Sequence, residues 1–273
     1  MAANTRPAGI LPATPANIRH AAAALRAGEL VGLPTETVYG VAARADDPAA
    51  IARLFRAKGR DESKQVARFV ADLDGVRAAG ATVSDVARRL AAAFWPGPLT
   101  LVLPGADGAW LGFRAPAHDV AQAWLRELGG VIPAVTSANR SGKAPAGTAA
   151  AAWAALSPHL SMVLDGGPVT GGQPSTVLRV AGAEAEILRP GPITAEHLAN
   201  SRIAPEINVS ATTMARMASG KATAIRVPTA RIKPQKTVTL NLSRVYKVWT
   251  SPSKQPIKNN PKNEHNKLYI SEI

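Results

Sequence analysis

Residues 16–40 read ANIRHAAAALRAGELVGLPTETVYG, and this stretch sets the architecture. Apolar residues from Ala16 to Ala27 recur at helical spacing and stop at Gly28, a residue suited to closing a helix. Leu30 to Leu33 is a short apolar run stopped by Pro34, which predicts a buried strand. The same alternation runs outward along the chain. Helices are expected over 48–57, with Asp47 as cap and Pro48 in the first turn, over 84–94 with Ser84 as cap, over 119–128 ending at Gly129 and Gly130, and over 148–156. Strands are expected over 99–103, 131–135, 162–164, 177–180 and 185–188, with another just before Arg114. Alternation of this kind predicts an α/β protein, helices packed on a sheet.

Composition bounds the function classes. An apolar fraction of 46% suits a globular chain and argues against wholesale disorder. No run of about 18 apolar residues occurs, so no membrane helix is expected. Met1 to Pro15 lacks a basic patch followed by an apolar stretch, so no secretory leader is expected. With no cysteine, disulfides and thiolate metal sites are excluded. Together these features point to a cytoplasmic protein. The net charge of +13 is unevenly spread: residues 1–200 hold 19 basic and 16 acidic residues, whereas residues 201–273 hold 13 and 3. The chain also turns from Arg-rich to Lys- and Asn-rich near residue 200. The expected organisation is an N-terminal extension over 1–13, a catalytic domain over 14–198, and a basic, largely irregular tail over 199–273, with a strand or two between Val238 and Trp249. A basic tail of this kind supports at most weak RNA binding through phosphate contacts.

Seven short segments carry polar chemistry. Leu33-Pro34-Thr35-Glu36-Thr37-Val38-Tyr39-Gly40 places two hydroxyls, a carboxylate and a phenol at a strand end, where α/β proteins bind ligands. It reads equally as a capped turn, Thr35 or Thr37 capping a helix and Tyr39 packed inside. Lys58-Gly59-Arg60, with Lys64 beyond, reads either as cations favoured at a helix C-terminus or as a clamp for phosphate or carboxylate. Phe94-Trp95-Pro96-Gly97-Pro98-Leu99-Thr100 is a rigid architectural turn, with Trp95 in the core. Arg114-Ala115-Pro116 offers a carboxylate binder. Thr136-Ser137-Ala138-Asn139-Arg140-Ser141-Gly142 is an ordinary polar turn or a holder of polar substrate groups. Asp165-Gly166-Gly167, Gly171-Gly172 and Ser175-Thr176-Val177 allow close backbone approach but lack P-loop spacing. Arg189-Pro190-Gly191 sends a cation out of a strand into a turn. Taken together, Lys58, Arg60, Arg114 and Arg189 beside hydroxyl-rich strand ends predict one cationic cleft for an anionic ligand. No metal-ligand spacing and no Ser/His/Asp order is present, so covalent nucleophilic catalysis is not indicated.

The order and spacing of PTETVYG, KGR, FWPGPLT, RAP, TSANRSG, DGG, STV and RPG resemble the YrdC family over residues 14–198, in its short, single-domain form. That resemblance implies a twisted mixed α/β sheet with flanking helices around a concave basic cleft. It also implies L-threonylcarbamoyladenylate synthesis: threonine, bicarbonate and ATP give threonylcarbamoyl-AMP and pyrophosphate, for modification of adenosine-37 of tRNA. By position it implies Thr35, Arg114, Ser137 and Ser175 as threonine contacts. Arg60, Lys64, Asn139 and Arg189 would contact ATP, with Lys58 adding charge in the cleft. Mg²⁺ would arrive with ATP, no protein side chain ligating it, and tRNA threonylcarbamoyl transferase proteins would act downstream. Asp61-Glu62-Ser63-Lys64-Gln65 departs from the family, in which proline follows KGR. A non-catalytic RNA-binding protein and a degenerate family member are the alternatives; the body has few aromatics and no RRM- or OB-type stacking motif. The hydrogenase-maturation carbamoyltransferases, larger and zinc-binding, fit a cysteine-free chain poorly.

Overall fold

The computed structural model describes residues 9–169, 171–182, 184–200 and 223–226. In chain order the elements are β1 (Gly9–Pro12), α1 (Pro15–Arg26), β2 (Val31–Leu33), β3 (Gly40–Arg44), α2 (Pro48–Lys58), β4 (Ala67–Phe69), α3 (Leu73–Ala78), α4 (Asp85–Phe94), β5 (Leu99–Pro104), β6 (Trp110–Arg114), α5 (Asp119–Glu127), β7 (Pro133–Ser137), α6 (Ala149–Leu156), β8 (Met162–Asp165), β9 (Thr176–Ala181), β10 (Glu184–Arg189), α7 (Ala195–Asn200) and β11 (Thr223–Arg226). The strands form one mixed sheet in the order β1-β8-β2-β3-β7-β4-β6-β5-β9-β10-β11. β1, β8 and β2 run parallel, as do β4 with β6 and β5 with β9; the remaining pairs are antiparallel.

The local sequence explains the helix ends. The Thr14 hydroxyl accepts from the Asn17 amide at 3.3 Å, and Pro15 occupies the first turn of α1. Asp47 accepts from the Ala49 and Ala50 amides at 2.8 and 3.1 Å ahead of Pro48 in α2. α2 closes on Gly59 in the left-handed conformation, φ 58°, which glycine adopts without a Cβ clash.

Strand alternation divides the core between the two faces. Ala42, Met162 and Leu164 face α1 and α5, packing with Leu25 and the fully buried Trp124. Val41, Ala43 and Val163 face the opposite way, onto α2 and α6, where Leu54, Ala57 and Leu156 lie. A third cluster, around Leu90, Leu101, Phe113 and Leu178, fills the other half under α4. Trp95 packs on its margin and donates from Nε1 to the Leu99 carbonyl at 2.7 Å, in keeping with an architectural role. This is the twisted mixed sheet with flanking helices that the sequence predicts.

Four findings modify the expected elements. The octet after β2 leads into another strand, β3, paired antiparallel to β2, so neither Thr35 nor Thr37 caps a helix there. β7 begins at Pro133 because Val131 is still held in the turn after α5, its amide donating to the Leu128 carbonyl at 3.3 Å. β1 lies inside the segment expected as an extension, and β11 inside the expected tail. The strand expected between Val238 and Trp249 falls outside the described residues. Among the described residues no helix is long and apolar enough to cross a membrane.

Candidate active site

The polar segments converge through a chain of contacts. The Thr35 hydroxyl organises its own turn: it donates to the Val38 carbonyl at 2.6 Å and accepts from the Thr37 and Val38 amides at 3.2 Å each. Its oxygen lies 2.9 Å from the Thr37 hydroxyl. Arg114, at the end of β6, donates from Nη2 to Thr37 Oγ1 at 2.9 Å and from Nε to the Gly97 carbonyl at 3.2 Å. Its guanidinium also lies 5.5 Å from the centre of the Phe69 ring. Beneath the turn, the buried Tyr39 donates to the Gly167 carbonyl at 2.7 Å and tethers the glycine-rich segment after β8. Burial is the main reason the Tyr39 phenol is pushed up to about 12.

Ser175, buried just ahead of β9, shares a 2.8 Å hydrogen bond with the Thr100 hydroxyl. Arg189, at the end of β10, donates from Nη2 to the Ser175 carbonyl at 2.7 Å and to its Oγ at 3.2 Å. Burial lowers the pKa of Arg189, and the neighbouring Arg114 and Arg60 lower it further. Two guanidiniums therefore press on a third in a partly desolvated space, an arrangement that an anionic ligand would relieve.

The KGR segment behaves differently from the expectation. Lys58 is 2% exposed and points away from solvent. Its ammonium donates to the main-chain carbonyls of Ser137 and Asn139 at 2.5 and 2.6 Å, so it braces the TSANRSG loop and is not an open charge. Burial first, then Arg60, push it down to about 8. Arg60 donates to the Gln65 carbonyl at 3.0 Å, while its buried Nε finds no hydrogen-bond partner among the described residues. Asn139 donates to the Arg140 and Lys143 carbonyls at 2.9 and 2.7 Å, and its buried Oδ1 finds no partner among them either. One orphaned donor and one orphaned acceptor thus flank the cationic space. Ser137 contributes its carbonyl to Lys58, and Lys64 is exposed in the 61–65 loop. In place of the family's proline, Asp61 closes the 61–65 loop by accepting from the Ser63 amide at 2.8 Å.

Two residues to which the sequence assigns no role, Glu36 and His118, stand among the site residues. Glu36 lies 2.8 Å from Arg114 Nη2. His118 caps α5, accepting from the Val120 amide at 3.3 Å. A Cβ on Gly166 would meet its ring at 3.0 Å and Pro34 at 2.8 Å, so these segments touch. Burial lowers the His118 pKa, partly offset by Asp119 and Glu36. A histidine at a helix cap, where Ser, Thr, Asp or Asn is usual, is the one local signal that marks it.

The fold and site define an α/β protein with a cluster of guanidiniums and hydroxyls at its strand ends. The family described as Sua5/YciO/YrdC, telomere recombination, matches residues 23–191, and the chain belongs to it. The chain is 40% identical over 188 residues to the putative threonylcarbamoyl-AMP synthase of Mycobacterium tuberculosis, covering 66% of this chain and 86% of that protein. It is 37% identical over 191 residues to the threonylcarbamoyl-AMP synthase of Bacillus subtilis, covering 66% and 55% respectively. Among solved structures it is similar to P. abyssi Sua5 complexed with L-threonine, at 32% identity and TM-score 0.65, covering 70% of this chain and 59% of that one. The chain thus spans a little over half the length of the latter two.

Proposed function

We propose that this chain is a nucleotidyltransferase that makes L-threonylcarbamoyl-AMP from L-threonine, bicarbonate and ATP, releasing pyrophosphate. The observation that carries this reading is that Arg189, whose Nη2 reaches the Ser175 hydroxyl, feels both Arg60 and Arg114, and that Arg114 holds the Thr37 hydroxyl. The names of the mycobacterial and Bacillus relatives and the threonine complex of the P. abyssi protein support it.

In this reading Thr35, Arg114, Ser137 and Ser175 form the threonine side, Arg114 taking the carboxylate. Arg60, Asn139 and Arg189 form the ATP side with Lys64 at its edge, and Lys58 acts from behind by bracing the loop. A carbamate oxygen of N-carboxythreonine attacks the α-phosphorus, a new P–O bond forms, and the bond to the bridging oxygen breaks to release pyrophosphate. Negative charge gathers on phosphate oxygens, so fixed guanidiniums and positioning supply the catalysis. Among the described residues no group of three or more His, Asp or Glu is placed to hold a metal. In this reading Mg²⁺ would be carried on the phosphate oxygens, where it would neutralise charge on the leaving pyrophosphate. The product is an activated acyl adenylate, consumed in the cytoplasm by tRNA threonylcarbamoyl transferase proteins to modify adenosine-37.

The test is pyrophosphate release by the purified protein with ATP, Mg²⁺, bicarbonate and threonine. Release should require both threonine and bicarbonate, and Arg60→Ala should lower it at least about 10-fold. Release indifferent to threonine, in folded protein, would sink the proposal.

A further inference from the structure

The Glu36–Arg114 pair occupies the place where an amino acid is expected, and its geometry is incomplete. Arg114 Nη2 and Glu36 Oε1 form an ion pair at 2.8 Å, which engages one oxygen of the carboxylate. Both Glu36 oxygens are screened from solvent, and Oε2 has no hydrogen-bond partner among the described residues. A carboxylate oxygen kept from water without a donor is costly and calls for one. His118 is near enough to interact electrostatically with Glu36, but its Nδ1 is spent on the helix cap.

The two halves of the pair differ in freedom. Arg114 is held by the Gly97 carbonyl, the Thr37 hydroxyl and the Phe69 ring, and its side chain is 6% exposed. Glu36 sits on the turn between Thr35 and Thr37, and its side chain is 21% exposed. The backbone of that turn is fixed from the other side: a Cβ on Gly171 would lie 2.5 Å from the Glu36 carbonyl oxygen. Any rearrangement therefore falls to the Glu36 side chain.

We propose that the Glu36–Arg114 pair is an internal stand-in for a zwitterionic substrate, opened when an amino acid inserts its carboxylate against Arg114 and its α-ammonium against Glu36. The ammonium has three N–H donors: one supplies what Oε2 lacks, and another replaces Arg114 on Oε1. Arg114 exchanges one carboxylate for another and stays neutralised. Glu36 thereby becomes the residue that reads the amine, a role the sequence motifs alone did not assign. This inference rests on the threonine reading above and adds the group that recognises the amine.

The experiment compares L-threonine with 3-hydroxybutyrate, which lacks the amine, and 1-aminopropan-2-ol, which lacks the carboxylate. Affinities are measured by calorimetry on wild type, Glu36→Gln and Glu36→Asp, alongside pyrophosphate release. Wild type should prefer threonine over 3-hydroxybutyrate by at least about 10-fold, the range of a charged hydrogen bond. Glu36→Gln should shrink that preference to about 3-fold or less and weaken 1-aminopropan-2-ol, with Glu36→Asp in between and the KM for ATP unchanged within about two-fold. A general structural defect would weaken all three ligands and ATP together. If Glu36→Gln keeps the wild-type preference while pyrophosphate release remains threonine-dependent, this inference is overturned and the synthase reading stands. If wild type binds no threonine and releases no pyrophosphate, both fall. Should neither variant fold, equal affinity of wild type for threonine and 3-hydroxybutyrate would overturn the inference by itself.

Discussion

Lys58 shows how a single side chain can serve the site without facing the ligand. Its ammonium joins the Ser137 and Asn139 carbonyls, and its own carbonyl accepts from the Ser141 amide at 2.8 Å, so both ends of the residue grip one loop. Lys58→Met removes both side-chain bonds and leaves carbonyls short of donors, which should cost about 1–3 kcal/mol in urea denaturation. The pH dependence has a definite sign. In the unfolded chain Lys58 titrates near 10.5, and in the folded protein at about 8, so between these values the unfolded state binds more protons. The lysine's contribution to stability therefore rises with pH through that window. A neutral amine still has two N–H groups for its two carbonyls. Lys58→Met should accordingly be more destabilising at pH 10 than at pH 8, and an equal loss at both would contradict the assignment. Tyr39 works in the opposite sense: its pKa is raised from 10.0 to about 12, so its contribution is whole below pH 10 and fades above it.

At the scale of elements, the turn between β2 and β3 is gripped by the glycine-rich segment that follows β8. A Cβ at Gly171 would meet the Glu36 carbonyl oxygen at 2.5 Å and Thr37 Cα at 3.1 Å, both backbone atoms that cannot swing aside. Gly171→Ala should push the two segments apart, raising the KM for threonine at least about 5-fold while the KM for ATP moves less. Equal effects on both substrates in steady-state kinetics would show that the segment supports the whole fold and not this pocket. The elements themselves were unevenly legible. Helices α1, α2, α4, α5 and α6 announced themselves through caps and periodicity, because those signals are local. β3 did not, since Gly40-Val41-Ala42-Ala43-Arg44 is poor in the branched and aromatic residues that mark strands, and its pairing with β2 and β7 decides its form. α3 carries Gly75 inside a six-residue helix, and β4 has three residues, too short for any period to show. The site was readable as a set of residue types. What could not be read was direction: that Lys58 turns inward, and that Glu36 meets a guanidinium 78 positions away.

Across the whole molecule, charge and site are separated. All the candidate site residues fall between Thr35 and Arg189, in the nearly balanced first 200 residues, whereas residues 230–273 hold nine basic and two acidic residues. Ending the chain after Thr229 keeps β11 and every site residue. Such a truncation should leave kcat/KM for pyrophosphate release within about two-fold of the full chain while lowering retention on immobilised RNA at low salt. A large fall in turnover would instead tie the basic segment to catalysis. The sheet order has a consequence for how the pocket comes into being. β3 must pair with β7, some ninety residues later, and β5 with β9, more than seventy residues later. Contacts so distant along the chain form only after a large loss of conformational entropy, and folds built from them assemble slowly. A nascent chain therefore does not assemble the candidate site until Arg189 has left the ribosome, and the carbonyls, guanidiniums and glycines that compose it come together as one late event.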